Sequence, residues 1–256
     1  MSKNFQKIKK IRLKLNKKKC TIGTWMQIPS PDVAEILSSC DFDWVTVDME
    51  HGSFSISQLP NIFRAIELGS SVPLVRLPNS DITTIRQVLD CGAAGIIIPN
   101  IEDQHQLEKC IENCNWPPKG KRGVGFSRAN LFGKNFESYK KNLIKPLVIA
   151  IIESKKGYDN LDRILNVKSL DCIFIGPYDL SASLNVLGKF NNNIFKNVIK
   201  NIIKKCKSHN VPCGIHVVEP NVINLKKASK NFQFIAYSID AQFIINGTKF
   251  ISKINK

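Results

Sequence analysis

Ionisable side chains follow four of the short apolar runs in this 256-residue sequence, at the point where each run ends. A charged group directly after a buried strand is well placed to meet a ligand, because it leaves the core at the edge of the sheet. One such residue is weak support, since many strands end in a charge that only reaches water. Six on four runs predict a functional site: Asp48, Glu50, His51, Arg76, Glu153 and Asp179.

Two of these residues, Glu153 and Asp179, are carboxylates that follow consecutive apolar runs. Two carboxylates that leave positions open for water and substrate suit a hard or borderline cation such as Mg²⁺ or Mn²⁺. The simpler alternative is that each carboxylate caps a neighbouring helix, which Asp179 could do ahead of LSASL. The pair therefore predicts a divalent-metal site, with helix capping as the alternative.

Arg76 and His51 indicate which chemistry a bound cation would assist. Arginine is a permanently charged, planar donor that can stabilise a developing oxyanion, and histidine can move protons near neutral pH. None of the eight apolar runs contains a lysine that could form an imine. The sequence also lacks a GxSxG elbow and a Walker loop. These features favour metal-assisted enolate chemistry.

Eight apolar runs, each followed by a helical pattern, must position these side chains. The runs lie at 20–26, 44–48, 73–77, 95–99, 147–153, 171–176, 212–217 and 233–237. The amphipathic stretches lie near 31–39, 56–69, 81–90, 102–114, 158–166, 192–208, 221–230 and 240–252. Many runs are continuously apolar, as in parallel strands covered on both faces. Eight strand–helix alternations predict an α/β fold, a single (β/α)8 TIM barrel over 20–256. The one long connection, about 115–146, is expected to carry function or a subunit contact.

Residues 1–19 form a basic extension ahead of the barrel. They carry nine basic side chains and no acidic one, which leaves 28 basic against 21 acidic residues, or +7 of the total +16. Phe5, Ile8, Ile11 and Leu15 recur at roughly helical spacing, so we expect a helix that closes the bottom of the barrel. A transit peptide or membrane anchor is the alternative.

Composition excludes several other classes of protein. The remaining lysines are scattered over polar helix faces, so we expect no nucleic-acid partner. No apolar run approaches the roughly 20 residues of a membrane helix, and no signal peptide is recognisable. The eight cysteines show no CxxC pair and no metal spacing, and Cys91, Cys172 and Cys213 lie inside apolar runs or beside them. We interpret them as reduced thiols of a cytoplasmic protein.

At these residues the chain resembles the HpcH/HpaI aldolases, a family that includes 4-hydroxy-2-oxoheptanedioate aldolase and 2-dehydro-3-deoxyglucarate aldolase. The matching stretches run in order from about residue 20 to 190: GTWMQ, FDWVTVDMEHG, PLVRLP, LDCGAAGIIIPNIE, WPPKGKRGVG, IIESKKGYDNLDRIL and LDCIFIGPYDLSAS with SLNVLG. The tail FQFIAYSID resembles the family's last strand. DxEHG and IGPxDLS together are specific signatures.

The resemblance implies a class II aldolase that uses Mg²⁺, Mn²⁺ or Co²⁺ to join or cleave pyruvate, or a similar 2-oxo acid, and an aldehyde. Glu153 and Asp179 would hold the metal, and Arg76 would polarise the keto oxygen. His51 and Asp90 would form a proton-handling pair. Asp90 lies on the helix after the third strand, where the residue pattern alone does not single it out.

The resemblance also implies substrate contacts and an assembly. Backbone amides near Gly176, Pro177 and Tyr178 would hold the substrate carboxylate, and Asp48 would lie near the acceptor aldehyde. The family assembles as homo-oligomers, typically hexamers built from dimers that exchange the last helix. Two departures concern the substrate: Ile151 stands where many members have Gln, and YSID stands where many have Gly-Ser-Asp.

Two other functions compete with this reading. A CoA-thioester lyase of the citrate-lyase-β or malyl-CoA type shares the barrel and the metal, but the short chain and the DxEHG motif argue against it. A non-enzymatic basic binding module would bind RNA or an anionic surface with an affinity that falls steeply with salt.

Overall fold

Eight parallel strands form a closed barrel in the computed structural model, which describes residues 3–141 and 145–254. Each strand pairs in parallel with the next along the chain, and the last strand pairs with the first. The strands are β1 Thr21–Met26, β2 Trp44–Asp48, β3 Val72–Arg76, β4 Gly95–Ile98, β5 Leu147–Ile152, β6 Cys172–Ile175, β7 Cys213–Val217 and β8 Phe234–Ile239. The predicted (β/α)8 barrel is confirmed.

Helices connect the strands and precede the barrel. They are α1 Lys3–Asn16, α2 Pro31–Ser39, α3 Leu59–Leu68, α4 Ile82–Asp90, α5 Gln104–Cys114, α6 Phe136–Lys141, α7 Lys155–Asp159, α8 Leu161–Leu165, α9 Pro177–Ser183, α10 Asn193–Ser208, α11 Val222–Ala228, α12 Asp240–Thr248 and α13 Ile251–Ile254. Short 3₁₀ turns cover Ile56–Gln58 and Arg128–Asn130.

Two of the predicted elements differ in detail. The predicted helix at 158–166 is two short helices, α7 and α8, which meet at Asn160. Strand β8 extends two residues beyond the predicted run, and its register against β1 shifts between Gly23 and Trp25. Ser238 lies in this irregular stretch with a φ of +58°, the left-handed region that favours glycine.

Two apolar layers hold the barrel together. An outer layer fills the space between the strands and the surrounding helices, and an inner layer fills the barrel itself. In the inner layer the rings of Trp44 and Phe234 stack with centroids 4.2 Å apart. Each fully buried side chain of this size contributes about 1.5–3 kcal/mol. The filled interior leaves binding to the rim, where the strands end.

Helix α1 covers the N-terminal ends of the strands. Ile8, Ile11 and Leu15 are buried and belong to the inner layer. Arg12 pairs with Asp171, which directly precedes β6, at 2.8 Å. The predicted helix at the bottom of the barrel is therefore confirmed, although the Phe5 side chain lies outside the described part.

The long connection between α5 and β5 is partly helical and carries exposed aromatic rings. It contains α6, and Phe126 and Phe132 are exposed. Its residues 142–144 lie outside the described part. All eight cysteines are free thiols. In the ranges 3–141 and 145–254, no helix has both the length and the apolar character to cross a membrane.

Candidate active site

A cavity of about 330 Å³ opens where the strands end at their carboxyl side. Its wall combines charged and aromatic side chains drawn from strands distant in sequence. The lining residues are Trp25, Gln27, His51, Arg76, Ile151, Glu153, Phe174, Gly176, Pro177, Tyr178, Asp179, His216, Val218 and Ile239. Seven of the ten residues predicted to form the site lie in this wall; Asp48, Glu50 and Asp90 do not.

Arg76, the last residue of β3, is held by carboxylates from the turn after β2. Its Nε donates to Asp48 Oδ1 at 2.8 Å and its Nη2 donates to Asp48 Oδ2 at 2.5 Å. Its Nη1 lies 3.0 Å from Glu50 Oε2. The guanidinium carbon stands 4.2 Å from the centroid of the Trp25 ring, a cation–π distance. Arg76 therefore presents its charge to the cavity in a fixed orientation.

The turn after β2 is organised by Asp48, whose side chain is fully buried. Asp48 Oδ1 accepts the backbone N–H groups of Glu50 and His51, and Oδ2 accepts Gln27 Nε2. Gly52 closes the turn, because a Cβ there would lie 2.3 Å from the Asp48 carbonyl oxygen. Burial opposes ionisation of Asp48, but the hydrogen bonds and charge of Arg76 prevail and lower its pKa. Asp48 therefore positions Arg76 and His51.

Glu153 follows β5 directly and is almost fully buried. Its Oε1 accepts the backbone N–H of Asn100 at 2.7 Å. Burial raises its pKa to about 7; the neighbouring carboxylates of Glu50 and Asp179 add to the rise, while the Asn100 bond and Arg76 oppose it. Glycine at 176 keeps the space beside Oε2 open, since a Cβ there would lie 2.6 Å from that oxygen.

Asp179 lies in the first turn of α9, exposed at the cavity. Pro177 starts this helix, and no side chain caps it, so the capping alternative for Asp179 is not what the structure shows. Of the three residues predicted to offer backbone amides, Gly176 donates its N–H to Ile152 and proline has none. The amide of Tyr178 is the donor that remains.

The carboxylates suit a hydrated divalent cation. Glu153 has no hydrogen-bonded or ion-paired cation among the described residues, and its pKa is raised by Glu50 and Asp179 as well as by burial. In the same residues, no group of three or more His, Cys, Asp or Glu side chains forms a complete metal site. Mg²⁺ commonly binds through one or two carboxylates and keeps several waters, so a pair with open positions fits it.

His51 and Asp90 take different positions. His51 is exposed at the cavity rim. Asp90 ends α4, and its Oδ1 accepts a hydrogen bond from Arg122 Nη2 at 2.6 Å. The described residues contain no hydrogen bond between the two side chains. Their action as a pair stays a prediction.

Three residues that the sequence did not single out shape the site. Asn100 has a φ of +52°, and its backbone N–H faces Glu153. Asp240 is buried and accepts the backbone N–H groups of Gln27 and Ile28, so it holds the segment after β1. His216 lies near the end of β7 and lines the cavity. His216, a histidine inside an apolar run, carried a signal that could have found it, whereas Asn100 acts through its backbone N–H and carried none.

Polar residues gathered where barrel strands end are the positions at which TIM-barrel enzymes hold their active sites, so the fold and the site together define that class. Residues 21–247 match the model of the HpcH/HpaI aldolase/citrate lyase family, and the chain belongs to this family.

Proteins named as aldolases are similar to this chain over most of its length. A 5-keto-4-deoxy-D-glucarate aldolase of Salmonella paratyphi A is 34% identical over 207 residues, which cover 80% of this chain and 81% of the relative. An HpcH/HpaI aldolase/citrate lyase family protein of Burkholderia cenocepacia J2315 superposes with a TM-score of 0.90 at 26% identity, over 96% of this chain and 99% of the other. An HpcH/HpaI aldolase of Desulfitobacterium hafniense DCB-2 shares the fold, with a TM-score of 0.86 at 23% identity over 95% and 96% of the two chains. The chain is therefore an enzyme with an aldolase's lyase activity.

Proposed function

We propose that the protein is a divalent-metal-dependent aldolase that cleaves or forms 4-hydroxy-2-oxo acids, with pyruvate or a similar 2-oxo acid and an aldehyde as the two fragments. The observation that carries the proposal is the juxtaposition in one cavity of Glu153, a buried carboxylate with no hydrogen-bonded or ion-paired cation among the described residues, and the fixed guanidinium of Arg76. Cleavage of the C3–C4 bond of a 4-hydroxy-2-oxo acid leaves negative charge on the oxygen of the former keto group. A cation held by the carboxylate and an oriented guanidinium would both stabilise that charge.

Glu153 and Asp179 would hold the cation, and Mg²⁺, Mn²⁺ and Co²⁺ are the candidates. When bound, a divalent cation supplies Lewis-acid polarisation of the keto oxygen, which is worth several kcal/mol in the transition state. The raised pKa of Glu153 implies that binding displaces a proton near neutral pH. We propose that the substrate carboxylate meets the Tyr178 amide at the start of α9.

Arg76 has donors left for the reacting oxygen. Its Nε–H and one N–H of Nη2 are used by Asp48, and Nη1 faces Glu50. A guanidinium carries five N–H groups, so one on each terminal nitrogen remains. A donor that is already oriented needs no rearrangement when charge develops on the oxygen, which is the main source of oxyanion stabilisation.

His51 is the proposed proton carrier. Cleavage removes a proton from the 4-hydroxyl group as the bond between C3 and C4 breaks, and the enolate then takes up a proton at C3. We retain Asp90 as its partner. A double-mutant cycle with His51→Ala and Asp90→Ala checks this: a double variant no slower than the single variants supports one unit, and multiplicative rate losses contradict it.

Retro-aldol assays on a panel of 4-hydroxy-2-oxo acids test the proposal, with an acyl-CoA lyase substrate as a separate arm. The 34% identical relatives make 5-keto-4-deoxy-D-glucarate the first substrate to try. Activity should vanish after chelation and return with Mg²⁺, Mn²⁺ or Co²⁺. Full activity of chelated protein, or a covalent adduct trapped by borohydride, would contradict the mechanism. Cleavage of the acyl-CoA alone would favour the CoA-lyase alternative.

We also propose that the protein is a cytoplasmic homo-oligomer whose partner copies exchange the last helix. Eight free cysteines suit a reducing compartment. Exposed apolar side chains near the C-terminus support an oligomer, because such surface is normally covered by a partner: Ile244, Ile245, Phe250, Ile251 and Ile254.

A further inference from the structure

One imidazole in the cavity wall has no part in the proposed reaction. His216 lies on β7, and its ring stacks on that of Trp25 with centroids 5.6 Å apart and an interplanar angle of 26°. Its Nε2 lies 3.2 Å from the carbonyl oxygen of Ser238. Trp25 in turn carries the guanidinium of Arg76. The imidazole is therefore fixed in the same wall that orients the predicted catalytic arginine.

The contacts of His216 define its tautomer. A carbonyl oxygen only accepts, so Nε2 carries the hydrogen and Nδ1 keeps its lone pair. Burial lowers the pKa of His216 to about 4; the Ser238 bond opposes this and the charge of Arg76 adds to it. The ring is thus neutral at neutral pH. Nδ1 accepts no hydrogen bond from the described residues.

The ring of His216 lies against the aromatic face of Trp25 in the cavity wall. Apolar side chains form part of that wall beside the charged groups: Trp25, Ile151, Phe174, Val218 and Ile239. An acceptor in such a wall loses its hydration when a substrate fills the cavity, and the loss is offset only if the substrate brings a donor. A site built this way discriminates against an analogue that lacks the donor.

We propose that His216 is a specificity-determining residue that accepts, through Nδ1, a hydrogen bond from a hydroxyl group of the substrate. The inference rests on the proposed aldolase function and names the feature that this cavity selects. The hydroxyl can come from the 2-oxo acid, on the carbon next to the keto group, or from the aldehyde. Both sources have the same chemistry, an O–H donor facing a neutral imidazole.

A purely structural role for His216 makes a different prediction. Ser238 has a left-handed backbone, and its carbonyl oxygen accepts from Thr24 Oγ1 at 3.3 Å as well as from His216. His216 would then only hold this strained residue. Substitutions should in that case lower stability, or slow every substrate by the same factor.

Three variants separate the two roles. His216→Gln places an amide N–H near the position of Nε2, so it keeps the contact to Ser238 and loses the acceptor. His216→Asn places an amide oxygen near Nδ1, so it keeps the acceptor and loses the contact. His216→Leu removes both.

The test compares kcat/KM for pairs of substrates in which one member has a hydroxyl group where the other has a methyl group. Glycolaldehyde and propionaldehyde, each with pyruvate, form the aldehyde arm. Hydroxypyruvate and 2-oxobutyrate, each with one common aldehyde, form the 2-oxo acid arm. We expect the wild-type protein to favour the hydroxylated member in one arm. His216→Leu and His216→Gln should lower that ratio about tenfold, the effect of a single hydrogen bond, and His216→Asn should retain most of it.

The assignment would be overturned if the ratio of kcat/KM values within each pair stayed at the wild-type value in both arms. This must hold for the Leu and the Gln variants alike. A protein that turns over no pair refutes the proposed function, and a second readout then tests His216 alone. In ¹⁵N NMR spectra of the metal-loaded protein, Nδ1 should shift with the hydroxylated member of one pair, hydroxypyruvate or glycolaldehyde, and not with its counterpart, 2-oxobutyrate or propionaldehyde. Equal shifts within each pair, or none in either pair, would contradict the inference.

Discussion

Arg76 is held in place before any substrate arrives. Two of its nitrogens bind Asp48, a third faces Glu50, and its guanidinium carbon lies over the Trp25 ring. Lysine carries the same charge but cannot make a bidentate contact or stack as a plane. The surrounding residues therefore fit a planar guanidinium with two donors on one side, and not only a positive charge.

Replacing Arg76 by lysine should therefore lower kcat about 100- to 1000-fold, as loss of an oriented oxyanion donor does. The melting temperature should change little, because Asp48 keeps a cationic neighbour. Steady-state kinetics and thermal unfolding measure the two effects. The matched control is Arg64→Lys, which changes an exposed arginine on α3. A wild-type kcat in Arg76→Lys would remove Arg76 from the chemistry.

Glu153 makes the metal-free protein less stable as the pH rises. Its folded pKa of about 7 exceeds the unfolded value of roughly 4.3. Between these values the folded state binds more protons than the unfolded state, so the free energy of unfolding falls as pH increases. The loss contributed by this group should reach roughly 3–4 kcal/mol by pH 8.

Glu153→Gln should consequently be more stable than the wild-type protein at pH 8 in the presence of a chelator, and about equal to it near pH 4.5. Urea unfolding across this range measures the difference. Glu35→Gln, an exposed glutamate on α2, should follow the wild-type profile. Parallel curves for wild type and Glu153→Gln would show that the buried carboxylate is not protonated in the folded protein.

Residue identity alone predicted part of this site. Arg76 and Glu153 were recognisable because each stands at the end of an apolar run, and ionisable residues recur at the ends of four such runs. Asn100 acts through its backbone N–H in a left-handed conformation, which no side-chain pattern records. The neutral tautomer of His216 depends on Ser238, a residue of the neighbouring strand. Contacts of this kind come from packing, not from spacing along the chain.

At the scale of elements, α1 is part of the core. Ile11 is 2% exposed within the inner layer, whereas Leu13 on the same helix is 54% exposed. Ile11→Ala should lower the free energy of unfolding by about 2–4 kcal/mol. Leu13→Ala, the matched control, should change it by less than about 0.5 kcal/mol.

Denaturant unfolding measures these values, and the kinetic constants of the folded variants should equal those of the wild type. The reason is that α1 contacts the barrel at the end opposite the cavity and holds none of its lining residues. A selective rise in KM for Ile11→Ala would show that α1 communicates with the substrate.

Hydrophobic periodicity predicted the elements well because the chain alternates between buried strands and amphipathic helices. The two details it missed have local causes. Asn160 separates α7 from α8 with backbone angles outside the helical region. The irregular end of β8 depends on Ser238 adopting a conformation that its residue type seldom takes. Hydrophobic patterns carry no information about either.

At the scale of the whole molecule, the apolar surface near the C-terminus predicts self-association. Phe250 is 58% exposed between α12 and α13. The family resemblance implies a hexamer, so sedimentation should give a mass about six times the 28.8 kDa of one chain. Phe250→Asp should reduce this mass, and Phe250→Leu should preserve it. A monomer at all concentrations would contradict the proposed assembly.

The closed end formed by α1 also affects the order in which products leave. With that end covered and the interior filled, the cavity in the described part of the chain communicates with solvent through its rim. In the proposed mechanism the 2-oxo acid is bound through its carboxylate and keto oxygen, and we expect the aldehyde to lie between it and the rim. The aldehyde must then depart first. The 2-oxo acid should therefore inhibit competitively against the aldol, and the aldehyde should inhibit noncompetitively. This is the kinetic pattern of two products that leave in a fixed order through one opening.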